Sequence, residues 1–325
     1  MSKNLLTTTW IIILLSACVS SSRHANQNKP TPNTEAAQVK IPTDLRPDSL
    51  TDLPRTQDGG FVLAPGYYEG EFKTYCLQPG TPDPTPRDAY LQAPISGYRK
   101  EIVETVLYNS RRNPDIKQKN VQLLLWSVVS GSNFDKLSRE VQVDAMQLLT
   151  PKQVFELRGG VMGVVRTVSN HLPSDFIKGH GDVKRLFELG TSSYEAYERI
   201  AVLNEPSRIK RSDFKNDQWY KQKENYYVRY FPVSYKKVRM QVYVPDGVLD
   251  STGKVSGEYL VFDPIASQAI PANSNAQRLG VGGPVLDIVR IIIEVSKKNT
   301  PPPTRFPENK KNKKTASKTT SKTAS

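Results

Sequence analysis

The chain has two thiols, Cys18 and Cys76, and three imidazoles, His24, His171 and His180. A thiol is either a buried small hydrophobe or, where a partner activates it, a nucleophile. The usual partners are missing from the sequence. It contains no glycine-rich phosphate loop, no HExxH, no CxxC and no Gly-x-Ser-x-Gly. His171 and His180 flank a loop of small and polar residues and lack a matched acid or cysteine pair, so they read as exposed or hydrogen-bonding side chains rather than metal ligands. Nothing in the sequence places either histidine beside Cys76, as cysteine-protease chemistry would need. No carboxylate pair stands out. The expectation is a protein that is not an enzyme, with no catalytic residue, metal or cofactor.

Cys76 follows Tyr75 and precedes a rigid loop, Leu77-Gln78-Pro79-Gly80-Thr81-Pro82, rich in proline. One candidate partner stands downstream. In the run Asn120 to Gly131, Gln122 and Trp126 are four residues apart and Val129 follows at i+7, a stripe beside the apolar one. That spacing predicts a glutamine at the edge of a core with a tryptophan stacked over it. A buried free cysteine and a helix-surface glutamine are the plain alternative.

The elements that must hold these residues have readable periods. Residues 67 to 75 suggest a short strand. Residues 98 to 110 put Ile102, Val103, Val106 and Leu107 on one helical face. Residues 116 to 130 give the clearest helix, with Val121, Leu124, Leu125 and Val128 as its apolar stripe, Asp115 as N-cap and Gly131 at its end. Thr150-Pro151-Lys152-Gln153 opens another helix with a capping box, and Ser192 with Glu195 opens one running to about Asn204. The period then changes to two: Val238, Met240, Val242 and Val244 alternate with polar neighbours, and Tyr226 to Phe231 supplies the other arm of a hairpin. The expected fold class is α+β: a mainly helical domain over 59–205, a small antiparallel β region over 206–280, and an amphipathic helix over 281–296 whose Asp287, Arg290 and Glu294 form a charged stripe.

The ends read differently. Lys3, an apolar run from Trp10 to Leu15 and small residues form a secretory signal over 1–17, because the run is too short to span a bilayer. Leu15-Ser16-Ala17-Cys18 resembles the bacterial lipoprotein signal. That resemblance implies cleavage before Cys18, diacylation of its sulfur with palmitate-like chains, and a membrane partner reached through the lipid. Val19 after the cysteine, rather than aspartate, favours the outer membrane, on its periplasmic side or at the cell surface. Cys76 is then the only free thiol, so no intramolecular disulfide forms. Residues 18–58 are poor in aromatics and rich in Ser, Asn, Pro and Thr, a disordered tether. Of the net charge of +13, the segment 297–325 carries nine Lys or Arg against Glu308 alone. This disordered basic tail suits anionic polymer or lipid; the remainder is only mildly basic, and no specific nucleic-acid binding follows.

Residues 70–130 resemble bacterial surface thioester domains. Tyr75-Cys76-Leu77 with its Pro-Gly loop matches that family's cysteine motif, and Gln122 with Trp126 matches its glutamine helix; Val121 and Leu124 depart from the Thr and the smaller residue found there. The resemblance implies that the Cys76 sulfur attacks the Gln122 amide, expels ammonia and leaves an internal thioester, with Tyr75 and Trp126 shielding it from water. Two functions are therefore expected. The first is a lipid-anchored cell-envelope protein acting as a non-catalytic binding or structural module with a protein partner in the envelope or on a target surface, within an envelope or secretion assembly. The alternative is a surface adhesin-like protein whose Cys76–Gln122 thioester captures a partner amine covalently.

Overall fold

The computed structural model describes residues 34–37, 45–97, 99–159, 174–246, 248–249, 255–257 and 259–285. Six strands come first: β1 (Ala36–Ala37), β2 (Asp48–Ser49), β3 (Phe61–Leu63), β4 (Gly66–Cys76), β5 (Thr81–Pro82) and β6 (Tyr90–Pro94). The described helices follow: α1 (Lys100–Arg112), α2 (Gln118–Ser130), α3 (Arg139–Leu148), α4 (Pro151–Leu157), α5 (Ser174–Glu188) and α6 (Tyr194–Ala201). The chain then returns to strands: β7 (Val202–Leu203), β8 (Trp219–Lys221), β9 (Tyr227–Ser234), β10 (Lys237–Val244), β11 (Val248–Leu249), β12 (Val255–Gly257), β13 (Leu260–Phe262), β14 (Ser267–Pro271) and β15 (Leu279–Pro284).

One nine-stranded sheet runs β1-β8-β9-β10-β4-β15-β14-β6, with β2 added in parallel to β4. The other pairings in this sheet are antiparallel. Its far edge returns towards β9, where the Gln92 side chain of β6 donates to the Tyr226 hydroxyl at 3.2 Å, so the sheet is nearly closed. The expectation of a helical domain followed by a separate β region is thus wrong. The central strand, β4, comes from before the helices and pairs with β10 and β15 from after them, Phe72 facing Val238 and Tyr75 facing Gly280. The helices are an insertion between strands of one sheet, and the described residues belong to one folded unit.

The reason lies in the partners of β4, not in its own pattern. Glu69, Glu71 and Lys73 alternate with buried Tyr68, Gly70, Phe72 and Thr74, as in an ordinary two-faced strand. The partners of β4 lie so far along the chain that no local pattern announces them. The hairpin formed as its alternation predicts, β9 and β10 meeting through the two-residue turn Tyr235-Lys236.

The helices sit close to their expected places. α4 carries the full capping box between Thr150 and Gln153. α6 is capped by Ser193, one residue later than the spacing suggested. α2 ends at Gly131 in the left-handed conformation (φ 71°), as a glycine there allows. It does not begin on Asp115: Lys117 holds the N-cap position without a side-chain cap. α2 is also buried all round, from Asn120 to Val128, because α1, α3, α5, α6 and β4 enclose it. α1 packs on β15, where a Cβ at Gly280 would stand 3.0 Å from Leu107. Residues 281–284 of the segment expected as an amphipathic helix over 281–296 belong to strand β15; 286–296, the signal segment with Cys18, the basic tail, His24 and His171 lie outside the described residues. The expected tether over 18–58 is also corrected: Ala36–Ala37 and Asp48–Ser49 are strands of the sheet, and Leu50 is buried in the core. No described helix is long and apolar enough to cross a membrane.

Candidate functional site

Cys76 is the last residue of β4, and its position explains what meets it. β10 pairs with β4 only as far as Lys237 opposite Lys73. Beyond that point the hairpin turns away: Thr74 N–H still reaches the Lys236 carbonyl at 2.9 Å, but no strand remains for Cys76 on that side. Its backbone groups are buried and need partners. Two glutamines one turn apart on α2 take the strand's place. Gln118 Nε2 donates to the carbonyls of Thr74 (3.1 Å) and Lys236 (2.7 Å). Gln122 Oε1 accepts from the Cys76 N–H at 2.8 Å, and its Nε2 donates to the Cys76 carbonyl at 3.0 Å. The Gln122 carboxamide therefore lies flat along the backbone of the residue that carries the thiol, and both residues are fully enclosed, at 1% and 0% exposure.

Gln122 was expected at the core's edge; the structure puts it inside. Trp126, one turn on, is also fully buried. Its indole N–H makes no geometrically complete hydrogen bond, yet its dipole lies close enough to the Cys76 sulfur to favour the thiolate. Burial acts more strongly in the other direction and pushes the thiol up to about 12, with the Asp83 carboxylate adding to it and the Gln78 backbone opposing it. The thiol is neutral at physiological pH. A second polar atom, Thr74 Oγ1, is buried without a partner two residues back on the same face of β4.

The aromatic cover comes from residues that the sequence did not single out. Tyr194 at the start of α6 stacks on Trp126 with ring centroids 5.8 Å apart and planes at 23°. Tyr235, from the β9–β10 turn, lies 6.3 Å from Trp126. The two tyrosine hydroxyls hydrogen-bond at 2.7 Å, and the Tyr235 hydroxyl donates to Glu198 Oε1 in a short contact. Burial, reinforced at Tyr235 by Glu198, holds both phenols in their neutral form. Tyr75 is placed otherwise: strand alternation turns it to the face opposite Cys76, where its ring lies so close to Gly282 that a Cβ there would approach within 2.7 Å. Burial pushes the Tyr75 phenol up to about 12, with the Ser110 hydroxyl opposing the shift. No pattern in the sequence flags Tyr194 or Tyr235, and Gln118 stands out there only as the residue three after Asp115 at the helix start; what each does appears only when α2, α6 and the hairpin turn converge.

The loop after Cys76 is fixed as tightly as the strand before it. α5 crosses it at Gly179, where an added Cβ would stand 2.4 Å from Gly80 Cα and 2.5 Å from the Pro79 carbonyl oxygen. His180, next on α5, directs Nδ1 to the Val129 carbonyl at 3.1 Å and is held down to about 4 by burial, with that hydrogen bond opposing the shift. Its position is that of a packed, hydrogen-bonded side chain. Among the described residues no three His, Cys, Asp or Glu side chains converge as a metal site.

Chemically, the arrangement sets a thiol and a primary carboxamide side by side in a dry pocket. The Cys76 N–H already points at Oε1, the atom that gathers negative charge when a nucleophile adds to the amide carbon. Compared with protein-family models, with curated proteins and with solved structures, the chain shows no match.

Proposed function

We propose that the protein is a lipid-anchored surface protein that captures a partner amine through an internal thioester between Cys76 and Gln122. The observation that carries this reading is the paired contact of the Gln122 carboxamide with the Cys76 backbone, at 2.8 and 3.0 Å, across 46 residues of chain.

The balanced steps are short. The Cys76 sulfur adds to the Gln122 side-chain carbonyl carbon, the thiol proton passes to Nε2, and ammonia leaves. The product is a neutral Cys–S–C(=O)–Gln bond. A primary amine later adds to the same carbon, the C–S bond breaks, the sulfur leaves as thiol, and the partner is held by an amide. Each half happens once per chain, so this is covalent binding and not turnover.

Three features of the pocket support the reading. The thioester carries no charge, so the burial that disfavours the thiolate does not disfavour the ester. Water is kept out by Trp126, Tyr194 and Tyr235, which matters because a thioester hydrolyses where water has access. The unpartnered Trp126 N–H, which would cost about 1–3 kcal/mol if it served nothing, is placed to meet the charge that develops on the sulfur as it leaves. Anchoring through Cys18 fits the same role, since a lipid-held protein with a polar segment over 19–33, ahead of β1, presents the reactive unit away from the membrane.

The deciding measurement is the intact mass of the purified chain. The expected wild type is lighter than its sequence by one ammonia, and Cys76→Ala restores the full mass. A wild type of full mass, whose thiol is alkylated on denaturation, leaves the other reading: a tethered, non-covalent envelope module in which Gln122 only completes the strand edge.

A further inference from the structure

Beside the Tyr194–Tyr235 pair opens a cleft of about 700 Å³. Asp83, Glu195, Glu198 and Glu205 contribute its acids, against Arg199 and Lys236. Tyr235 belongs both to the wall of this cleft and to the cover of Trp126, so the order from solvent inward is cleft, tyrosine pair, Trp126, thiol. One cation is already seated in it. Lys236 Nζ lies 2.8 Å from Glu198 Oε1 and over both tyrosine rings, 5.2 Å from the Tyr235 centroid and 5.7 Å from that of Tyr194. Two aromatic faces and a carboxylate are the groups that bind an ammonium.

We propose that Tyr194, Tyr235 and Glu198 form a subsite for a primary ammonium on the route to Cys76 and Gln122, and that Lys236 fills it until a partner's ammonium takes its place. The proposal rests on the thioester reading and adds to it the group that admits the nucleophile and the chain's own occupant. Lys236 is about half exposed, so it can swing out into solvent, whereas Glu198, at 29%, is the more fixed partner. The Glu198 carboxylate is held by the Tyr235 hydroxyl, which is itself held by Tyr194. An arriving ammonium that breaks this set of contacts loosens the two rings covering Trp126 as it binds. Access to the thioester is then tied to recognition of a cation, and uncharged water gains nothing from the subsite. The ammonium gives one proton to Glu198, and from there to solvent. Its nitrogen adds to the Gln122 side-chain carbon, and a second proton leaves with the Cys76 sulfur.

The test compares two nucleophiles on the purified full chain, each followed by intact mass. Methylamine is an ammonium at neutral pH, and hydroxylamine is uncharged there. Lys236→Met is expected to raise the methylamine-to-hydroxylamine rate ratio about fivefold, and Glu198→Gln to lower it about tenfold; Lys236→Arg, which keeps a cation in the subsite, stays near the wild type. A ratio unmoved by Lys236→Met and Glu198→Gln overturns the proposal, as does a Lys236–Gln122 amide found in the resting protein, which would make Lys236 a reactant and not an occupant. The two levels separate cleanly. A wild type without the ammonia loss removes the thioester and the subsite's role together. An ammonia-light wild type with variant-independent ratios removes only the subsite.

Discussion

Replacing Cys76 with alanine separates a covalent Cys76–Gln122 link from a hydrogen-bonded one, because the contacts of Gln122 go to the backbone of residue 76 and survive the substitution. Without a crosslink, the variant loses only the packing of one buried sulfur, about 1 kcal/mol. With a crosslink, it also loses the restriction of the unfolded chain. Closing a loop over the 46-residue separation is worth about 4 kcal/mol on the chain-entropy account. One term runs the other way: the crosslinked wild type has given up Nε2 and with it the hydrogen bond to the Cys76 carbonyl, about 1 kcal/mol, which the variant keeps. The net expectation is a loss of about 4 kcal/mol in the covalent case against about 1 kcal/mol in the other. Urea unfolding at neutral pH reads the difference, with the slopes compared because an uncrosslinked unfolded chain exposes more surface. An ammonia-light wild type whose alanine variant is within about 1 kcal/mol of it would refute the loop argument. A full-mass wild type with the same small difference would refute the link itself.

Gln122→Ala removes the crosslink, about 4 kcal/mol, together with the acceptor for the buried Cys76 N–H, so a loss of about 5–7 kcal/mol is expected by urea unfolding; a loss of about 2–4 kcal/mol would mean that Gln122 only completes the strand edge. Gly179→Ala, in the middle of α5, should stabilise on helix propensity alone by about 1 kcal/mol, but the new Cβ meets the backbone of Pro79 and Gly80, so the melting temperature should fall and a rise would contradict the close crossing. Because burial lowers His180 from 6.5 to about 4, its neutral form is favoured in the folded state. The stability this contributes is complete above pH 6.5 and is lost as the pH falls from there towards about 4. His180→Phe should flatten the stability profile across that window in pH-dependent urea titrations, and an unchanged slope would assign the acid sensitivity elsewhere.

The parts legible in the sequence share one property: their signals are local. The α2 stripe, the Thr150–Gln153 capping box and the alternation of β10 each span fewer than two dozen residues, and each appears where its period places it. The sheet is not legible locally because β4, whose own alternation marks it as a strand, draws its neighbours from Lys237–Val244 and Leu279–Pro284, beyond the reach of any window. α5 begins at Ser174, inside the loop of small and polar residues expected between His171 and His180. The site divides along the same line. Cys76, Gln122 and Trp126 stand out by residue type and spacing, and the fold joins them. Tyr75 stands beside Cys76 in sequence but across the strand from it in space, which a period of two dictates once β4 is recognised as a strand. The cover that Tyr75 was expected to give comes from Tyr194 and Tyr235, more than a hundred residues downstream.

The same burial acts on three chemical states of residue 76 in different ways, and the difference favours one of them. As a thiolate, Cys76 would hold a charge in a pocket that drives its thiol up to about 12, so the free anion is excluded at neutral pH. As a thiol it is tolerated, but Trp126 Nε1 then remains without a full partner and the Gln122 amide serves only as a substitute for a missing strand. As a thioester it is neutral and keeps the Cys76 N–H directed at the carbonyl oxygen of residue 122. The enclosure that makes the thiol a poor nucleophile toward anything outside leaves it one electrophile, the carboxamide already lying against its own backbone. Once that bond forms, the enclosure excludes water from it, and only a group able to part Tyr194 from Tyr235 reaches the carbonyl. Reactivity towards an arriving amine should therefore follow the stability of the tyrosine pair. Tyr194→Phe removes the 2.7 Å hydroxyl contact while keeping the ring on Trp126, so both aminolysis and spontaneous hydrolysis should quicken, each read as the rise in free thiol over time. Unchanged rates of both in that variant would mean that the tyrosines are packing and that the route to Cys76 lies elsewhere.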